Sequence, residues 1–365
     1  MNPVFEHLVQ PQIQSIQPYV PGKPVSELQR ELGLKHISKL ASNENPLGAS
    51  PKALSAIEIA LKDIARYPDG NTFYLRKVLS DFLSVPASQI ALGNGSNELL
   101  ELVGRVFCAQ GDEIVYSQYG FAVYPITAQI VGATGVEVPA KNYAHDLDAM
   151  AQAVTSKTKL IYVANPNNPT GTLFGRAEWE SFMQAVPENV MVVLDEAYLE
   201  YVETSDYPNG LDYLAQYPNL IVSRTFSKAY GLASLRVGYM VASEEIISYI
   251  NRLRAPFNVN HFAQVAAAAA LQDQQFVLQS VELNRQGKQQ ICEALVGLDI
   301  PFIHSEGNFV CVEFGDKASE INTKLLHHGV IIRPVGNYGL NHFLRVSIGN
   351  RSENQHFIDA LHQVL

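Results

Sequence analysis

The chain has 365 residues, of which 47% are hydrophobic and 17% charged, and its 26 basic against 36 acidic side chains give a formal net charge of -10. That much apolar surface supplies a sizeable core and excludes a disordered chain, while the length calls for two domains or one large α/β domain. The acidic balance disfavours nucleic acid and anionic membranes as partners, because each needs a basic face to displace counterions; an anionic ligand has to be held locally.

The opening MNPVFEHLVQ lacks a basic flank followed by a hydrophobic run. No segment approaches the roughly 18 uninterrupted apolar residues that span a bilayer, so a cytoplasmic protein is expected. Pro3, Pro11, Pro18, Pro21 and Pro24 forbid a long helix before Val25–Leu32, and residues 1–35 read as an arm. A helical pattern at Leu99–Val106 follows, then apolar β-rich runs at Glu113–Tyr116, Lys159–Ala164, Val190–Leu194 and Leu220–Ser223. Runs of this kind, separated by helical patterns, suggest parallel strands buried on both faces. The expected fold is α/β, a mostly parallel central sheet flanked by helices over 36–255. From Pro256 the texture changes. Two helical stretches, one including Ala263–Leu271, lead to short β-like runs at Asn308–Phe314, Val330–Arg333 and His342–Ile348, which predicts a smaller α+β domain over 256–365. Cys108, Cys292 and Cys311 are odd in number and far apart, so no disulfide framework is expected. The absence of metal-ligand spacing, including in the adjacent His327 and His328, predicts no metal.

Ligands of open α/β sheets collect outside the carboxyl ends of the strands, and four motifs lie there. Ser223-Arg-Thr-Phe-Ser-Lys228-Ala-Tyr-Gly231 continues to Arg236 and gathers Thr225, Ser227, Lys228 and Arg236 on one glycine-containing loop. Two hydroxyls and a guanidinium suit a phosphate. Lysine in such company, desolvated and near a cation, becomes a neutral amine able to condense with an aldehyde. Met191-Val-Val-Leu-Asp195-Glu-Ala-Tyr198 ends a buried strand on a carboxylate, which needs a cation or hydrogen-bond donors to meet it; the plain alternative is a helix N-cap. Asn165-Pro-Asn-Asn168-Pro-Thr-Gly171 is a turn made rigid by two prolines and a glycine. Gly93-Asn-Gly95-Ser96-Asn97 precedes the Leu99–Val106 helix, where free N–H groups favour an anion, although the third glycine of a dinucleotide fingerprint is missing.

Asn168-Pro-Thr-Gly, Asp195-x-x-Tyr198 and Ser/Thr-x-x-Lys228 with Arg236 eight residues later resemble, in order and interval, the signatures of the fold-type-I pyridoxal phosphate aminotransferases. The resemblance runs from the arm to the last strand. Within that superfamily, Gln17-Pro-Tyr19-Val-Pro-Gly22-Lys23, Lys39-Leu-Ala-Ser-Asn43-Glu-Asn-Pro46 and Arg66-Tyr67-Pro-Asp69 are similar to the opening of histidinol-phosphate aminotransferases.

The resemblance implies pyridoxal 5′-phosphate as cofactor, with Lys228 as the amine that bonds its aldehyde and later moves a proton. It implies that Asp195 keeps the pyridine nitrogen protonated, that Asn168 and Tyr198 hydrogen-bond the ring oxygen, and that Gly95, Ser96, Asn97, Thr225, Ser227 and Arg236 surround the phosphate. Tyr67 is expected to join them from a second subunit of a homodimer. Phe121 best matches the aromatic that stacks on the ring, with Tyr119 and Tyr124 left open, because the usual proline-rich lead is replaced here by Tyr116-Ser-Gln-Tyr-Gly. Arg345 matches the arginine that grips the substrate carboxylate, and Arg333 and Tyr19 complete a pocket for a phosphate monoester; Asn43 and Asn308 match positions near the substrate. The implied reaction transfers an amino group between L-histidinol phosphate and 2-oxoglutarate. The alternatives are an aromatic amino acid aminotransferase on the same scaffold, a decarboxylase sharing parts of the pattern, and a non-catalytic cofactor-binding regulator, which usually carries a DNA-binding module absent here.

Overall fold

A computed structural model describes residue 5, residues 7–14, residue 16 and residues 22–365. In chain order the strands are β1 (Ser38–Lys39), β2 (Ile90–Gly93), β3 (Glu113–Ser117), β4 (Thr134–Val138), β5 (Thr158–Ala164), β6 (Met191–Asp195), β7 (Leu220–Thr225) and β8 (Gly238–Val241). They are followed by β9 (Phe302–Ile303), β10 (Phe309–Glu313), β11 (Val330–Ile331), β12 (Arg333–Pro334) and β13 (Phe343–Ser347).

Strands β2 to β8 form a seven-stranded sheet in the order β2-β8-β7-β6-β5-β3-β4. Neighbours from β7 to β4 are parallel, whereas β8 runs antiparallel to both β2 and β7. Side chains alternate across this sheet with the period of two that extended backbone imposes. Ile114, Leu160, Tyr162, Val193 and Ile221 face Leu99, Val103, Tyr124, Ala128 and Ile250 of the helices Ser96–Phe107, Val123–Val131 and Glu244–Leu253. Val115, Ile161, Val163, Val192, Leu194 and Val222 face Met150 of Leu147–Gln152 and Trp179, Phe182 and Met183 of Arg176–Ala185. Burial of each such side chain stabilises the fold by roughly 1.5–3 kcal/mol. The central strands β5, β6 and β7 are apolar through their middles and meet polar residues at their carboxyl ends, which is where three of the motifs lie.

The second sheet is antiparallel, ordered β12-β13-β10-β9, and packs Val310, Val312, Leu344 and Val346 against Ile291 and Leu295 of the long helix Gln274–Gly297 and Phe357 and Leu361 of the helix Arg351–Val364. The expected run Val330–Arg333 divides between two sheets: β11 pairs in parallel with β1, and β12 pairs with β13. The expected helix Val25–Leu32 forms, with Leu28 packed on Ala41 and Ile331. The helix His261–Leu271 instead packs Ala263, Ala266 and Ala267 with Ala53, Leu75 and Leu92, on the side of the large sheet. Among the described residues no helix is long and apolar enough to cross a membrane.

Candidate active site

Three parallel strands end side by side, and each delivers one motif. Strand β5 leads to Asn168, β6 ends on Asp195, and β7 ends on Thr225 ahead of Lys228. Asp195 is the last residue of its strand rather than a helix cap, and it is buried. Directly behind it lies an ion pair that the motifs do not announce. Arg224 Nη2 sits 2.7 Å from Glu196 Oε2, and both side chains are buried. Glu196 Oε1 also accepts from the Gly210 amide at 2.8 Å and from the Tyr207 hydroxyl at 3.1 Å, while Arg224 donates to Asn209 Oδ1 at 2.8 Å. The pair ties the end of β6 to the end of β7, so Asp195 and Thr225 keep a fixed separation. Arg224→Met leaves Glu196 buried without its cation and is expected to cost about 3–5 kcal/mol in denaturant-unfolding stability.

The motifs meet around a cavity of about 200 Å³. Its lining includes Ser96 and Asn97 with Thr225, Ser227 and Arg236, then Asp195, Tyr198 and Asn168, and the aromatic residues Phe121 and Tyr124. Lys228, Asn43, Arg333 and Arg345 complete the lining. Ser96 opens the helix Ser96–Phe107, whose unpaired N–H groups and positive dipole end favour an anion. Gly95, next to Ser96 but not itself in the lining, has φ of +80°, and a Cβ there would strike the Arg236 guanidinium. Arg236 itself is held at φ of +55°, a left-handed conformation costing a side-chain-bearing residue roughly 1–2 kcal/mol. Its Nη1 donates to the Ala233 carbonyl at 3.0 Å and to Ser227 Oγ at 3.4 Å. Hydroxyls, helix N–H groups and a strained arginine thus converge on one corner.

The cavity is also tied to the small sheet through residues 41–43. Arg345 donates to the Ala41 carbonyl at 2.9 Å and also to Asn168 Oδ1. Asn43 donates to the Tyr198 hydroxyl at 3.0 Å and accepts from Ser347 Oγ at 2.8 Å, and Asn308 donates to the Asn43 carbonyl at 3.0 Å. Asn308 is therefore buried behind Asn43 and does not line the cavity.

Two groups carry unusual charge. Lys228 donates to the Ser42 carbonyl at 3.2 Å, and its amine is pushed down to about 7, first by burial and then by the positive charges of Arg345 and Arg236, against Glu44 and Asp195. Burial pushes the Asp195 carboxyl up to about 6, opposed by the Tyr124 hydroxyl and the Ala197 amide. Asp195 Oδ2 accepts from Tyr124 at 2.9 Å, whereas Oδ1 has no hydrogen-bond partner among the described residues. A buried carboxylate oxygen left without a donor is costly unless a ligand supplies one.

Tyr67 stands apart: it is 83% exposed and stacks on Phe257 with ring centroids 4.8 Å apart. Tyr19 falls outside the described residues. Of the three aromatic candidates, Tyr119 packs toward Tyr143 and is not in the lining, which leaves Phe121 and Tyr124. Gly22 and Ser42, which also line the cavity, lie inside the opening motifs but were not singled out there, and Tyr338, a further lining residue, lies outside every motif. Among the described residues no group of three or more His, Cys, Asp or Glu side chains is placed to hold a metal ion.

Comparison with known proteins gives the family. The chain is 64% identical to histidinol-phosphate aminotransferase 2 of Hydrogenovibrio crunogenus over 98% of its length and 96% of the relative's. It is 53% identical to histidinol-phosphate aminotransferase 2 of Pseudomonas aeruginosa, covering 99% of this chain and 98% of that one. Its fold superimposes on the crystal structure of histidinol-phosphate aminotransferase from Sinorhizobium meliloti in complex with pyridoxal-5′-phosphate with a TM-score of 0.90, at 32% identity and over 98% and 97% of the two chains. The expected α/β architecture is that of these enzymes. With residues 35–361 matching the family described as Aminotransferase class I and II, the chain belongs to the class I and II aminotransferases.

Proposed function

We propose that the chain catalyses reversible transfer of an amino group between L-histidinol phosphate and 2-oxoglutarate, as a step of histidine biosynthesis, with pyridoxal 5′-phosphate held in the cavity described above. The observation that carries this reading is that one cavity is lined both by Lys228, whose amine is lowered to about 7, and by the buried Asp195, whose Oδ1 has no hydrogen-bond partner among the described residues. The donor set fits the cofactor. A phosphate finds hydroxyls, helix N–H groups and Arg236 at one end, an aldehyde finds an amine, and a protonated ring nitrogen finds a carboxylate oxygen. When bound, the cofactor supplies an aldehyde that accepts an amine and a ring that delocalises negative charge from the substrate Cα.

The chain's own residues divide the remaining work. Gly95, Ser96, Asn97, Thr225, Ser227 and Arg236 hold the phosphate. Asp195 accepts the proton of the ring nitrogen's N–H as a hydrogen bond and keeps that nitrogen charged. Asn168 already accepts from Arg345, which leaves its amide hydrogens to donate to the ring oxygen; Tyr198 accepts from Asn43 and donates its own hydroxyl hydrogen to the same oxygen. Phe121 packs on the ring face. Lys228, neutral above about pH 7, takes the proton from the substrate Cα at Nζ. Arg345 binds the carboxylate of glutamate, and Arg333, with Tyr19, binds the phosphate monoester; Asn43, backed by Asn308, shapes the substrate end.

Arg333→Ala is expected to raise KM for histidinol phosphate at least about tenfold, the loss of one charge-assisted contact, while changing KM for phenylalanine far less. Steady-state kinetics on the two donors checks this. Equal injury to both would favour the aromatic aminotransferase reading.

The proposal extends to a cytoplasmic homodimer in which Tyr67 reaches the partner's cofactor phosphate. Its support is a run of exposed apolar side chains near Tyr67 in the sequence, Leu54, Ile59, Leu61, Ile64, Phe73 and Tyr74, together with the exposed Phe257 stacked on Tyr67 itself. Sedimentation is expected to give a dimer, and an active monomer at assay concentration would contradict it. The division into an arm over 1–35, a large domain over 36–255 and a small domain over 256–365 is supported by the separate cores of the two sheets, although the helix His261–Leu271 packs on the large side and β1 pairs with β11 on the small one.

A further inference from the structure

The hydroxyl of Tyr124 reaches Asp195 Oδ2 at 2.9 Å, so one carboxylate oxygen is occupied by a neutral donor, while the buried Oδ1 has no hydrogen-bond partner among the described residues. Tyr124 has no freedom to do anything else. It is fully buried on the helix Val123–Val131, and its ring lies flat on Tyr162, with centroids 4.6 Å apart and planes 4° from parallel. Tyr162 is fixed in turn, because its hydroxyl donates to the Leu100 carbonyl at 2.7 Å. Leu100 belongs to the helix whose first turn supplies Ser96 and Asn97 to the cavity. A continuous set of contacts therefore runs from the phosphate corner through two stacked rings to the carboxylate.

We propose that Tyr124 is a positioning residue for amino transfer: its hydroxyl fixes the rotation of the Asp195 carboxylate and holds it as the anion, so that Oδ1 is presented to the pyridine nitrogen of pyridoxal 5′-phosphate. The proposal rests on the cofactor reading above and goes beyond it by assigning Tyr124 to the aspartate rather than to ring stacking. A carboxylate that could rotate, or that took up a proton, would offer the ring nitrogen a misdirected or a neutral partner. Tyr124 stays protonated, since burial and the charge of Asp195 push its phenol well above the ordinary value, and so it acts as a donor throughout the working pH range. The charged and titratable groups that face Asp195 are Lys228 from the loop after β7, Glu196 beside it, Tyr198 three residues on and Tyr124 from the helix; the Tyr124 bond and Lys228 favour the anion, Glu196 opposes it, and Tyr198 is kept protonated by its burial.

Tyr124→Phe removes only the donor and keeps the ring on Tyr162, so thermal unfolding is expected to show a folded protein. Spectrophotometric titration of the cofactor-free variant with pyridoxal 5′-phosphate is expected to give a Kd roughly ten- to a hundredfold weaker than wild type, the range for a hydrogen bond to a charged group. In cofactor-free protein carrying carbon-13 aspartate, the Asp195 midpoint is expected to move upward in Tyr124→Phe, a shift that a purely packing role would not produce. In an Asp195→Ala background the same change is expected to alter Kd by less than about twofold, because the partner is gone. Wild type that binds no cofactor would sink the reading of the cavity. Wild type that binds it, beside a Tyr124→Phe variant with the same Kd and the same Asp195 midpoint, would overturn this proposal alone.

Discussion

Lys228→Ala is expected to abolish amino transfer with every donor, while the protein stays folded and still retains pyridoxal 5′-phosphate through the phosphate corner. The acid–base contribution of a positioned side chain alone is worth roughly 10²–10⁴-fold, and the covalent role of the amine adds to it. The geometry explains why this lysine and not a surface one is suited to the task. Arg345 and Arg236 raise the cost of the ammonium, and burial removes the water that would otherwise solvate it. The sign of the pH dependence follows. With the amine lowered to about 7, its neutral fraction rises as pH passes through 7 and then levels, so cofactor capture by the cofactor-free protein accelerates over that window and flattens above it. A stopped-flow profile still climbing steeply at pH 9 to 10 would mean an ordinary lysine. Full turnover in Lys228→Ala would refute the assignment of the base.

Asp195→Ala carries the second large effect. Removing one preorganised electrostatic partner of a reacting system slows chemistry by about 10²–10³-fold. Single-turnover measurement of the proton-transfer step should find the loss there, not in product release. The same carboxylate burdens the cofactor-free fold. Its folded value, about 6, lies above the ordinary one, so between the two the native state binds more protons than the unfolded chain. Stability therefore falls as pH rises through that window. Cofactor-free Asp195→Asn is accordingly expected to unfold at a higher temperature than wild type above pH 6, although it is the poorer enzyme. Calorimetry of the two proteins at pH 5 and pH 8 checks the sign.

Local pattern carried much of this molecule and failed in identifiable places. Strands β5, β6 and β7 were legible because Val, Ile and Leu run nearly unbroken through Lys159–Ala164, Val190–Leu194 and Leu220–Ser223, and the polar residue that ends each run marks the side where ligands collect. Thirteen of the residues singled out from the sequence line the same cavity. Strand β8 was not legible, since Gly238–Val241 is short and its antiparallel pairing with β2 depends on a partner far away in the chain. Neither was the split of Val330–Arg333 between two sheets, because β1 is only two residues long and carries no pattern of its own. The Arg224–Glu196 pair hides in plain text: each residue is adjacent to a motif residue, but nothing in the spacing tells a buried bridge from a solvated loop. Tyr124 shows the same limit. An aromatic near Phe121 suggests stacking, and only the coordinates show that its hydroxyl is turned to Asp195.

The most direct measurement is to load the protein with pyridoxal 5′-phosphate, reduce it with borohydride and locate the retained cofactor by peptide mass spectrometry. One cofactor per chain on the peptide bearing Lys228, lost when Asp195 and Arg236 are both replaced by Ala at limiting cofactor concentration, is the expected result. Cofactor scattered over surface lysines, or absent from Lys228, would contradict it.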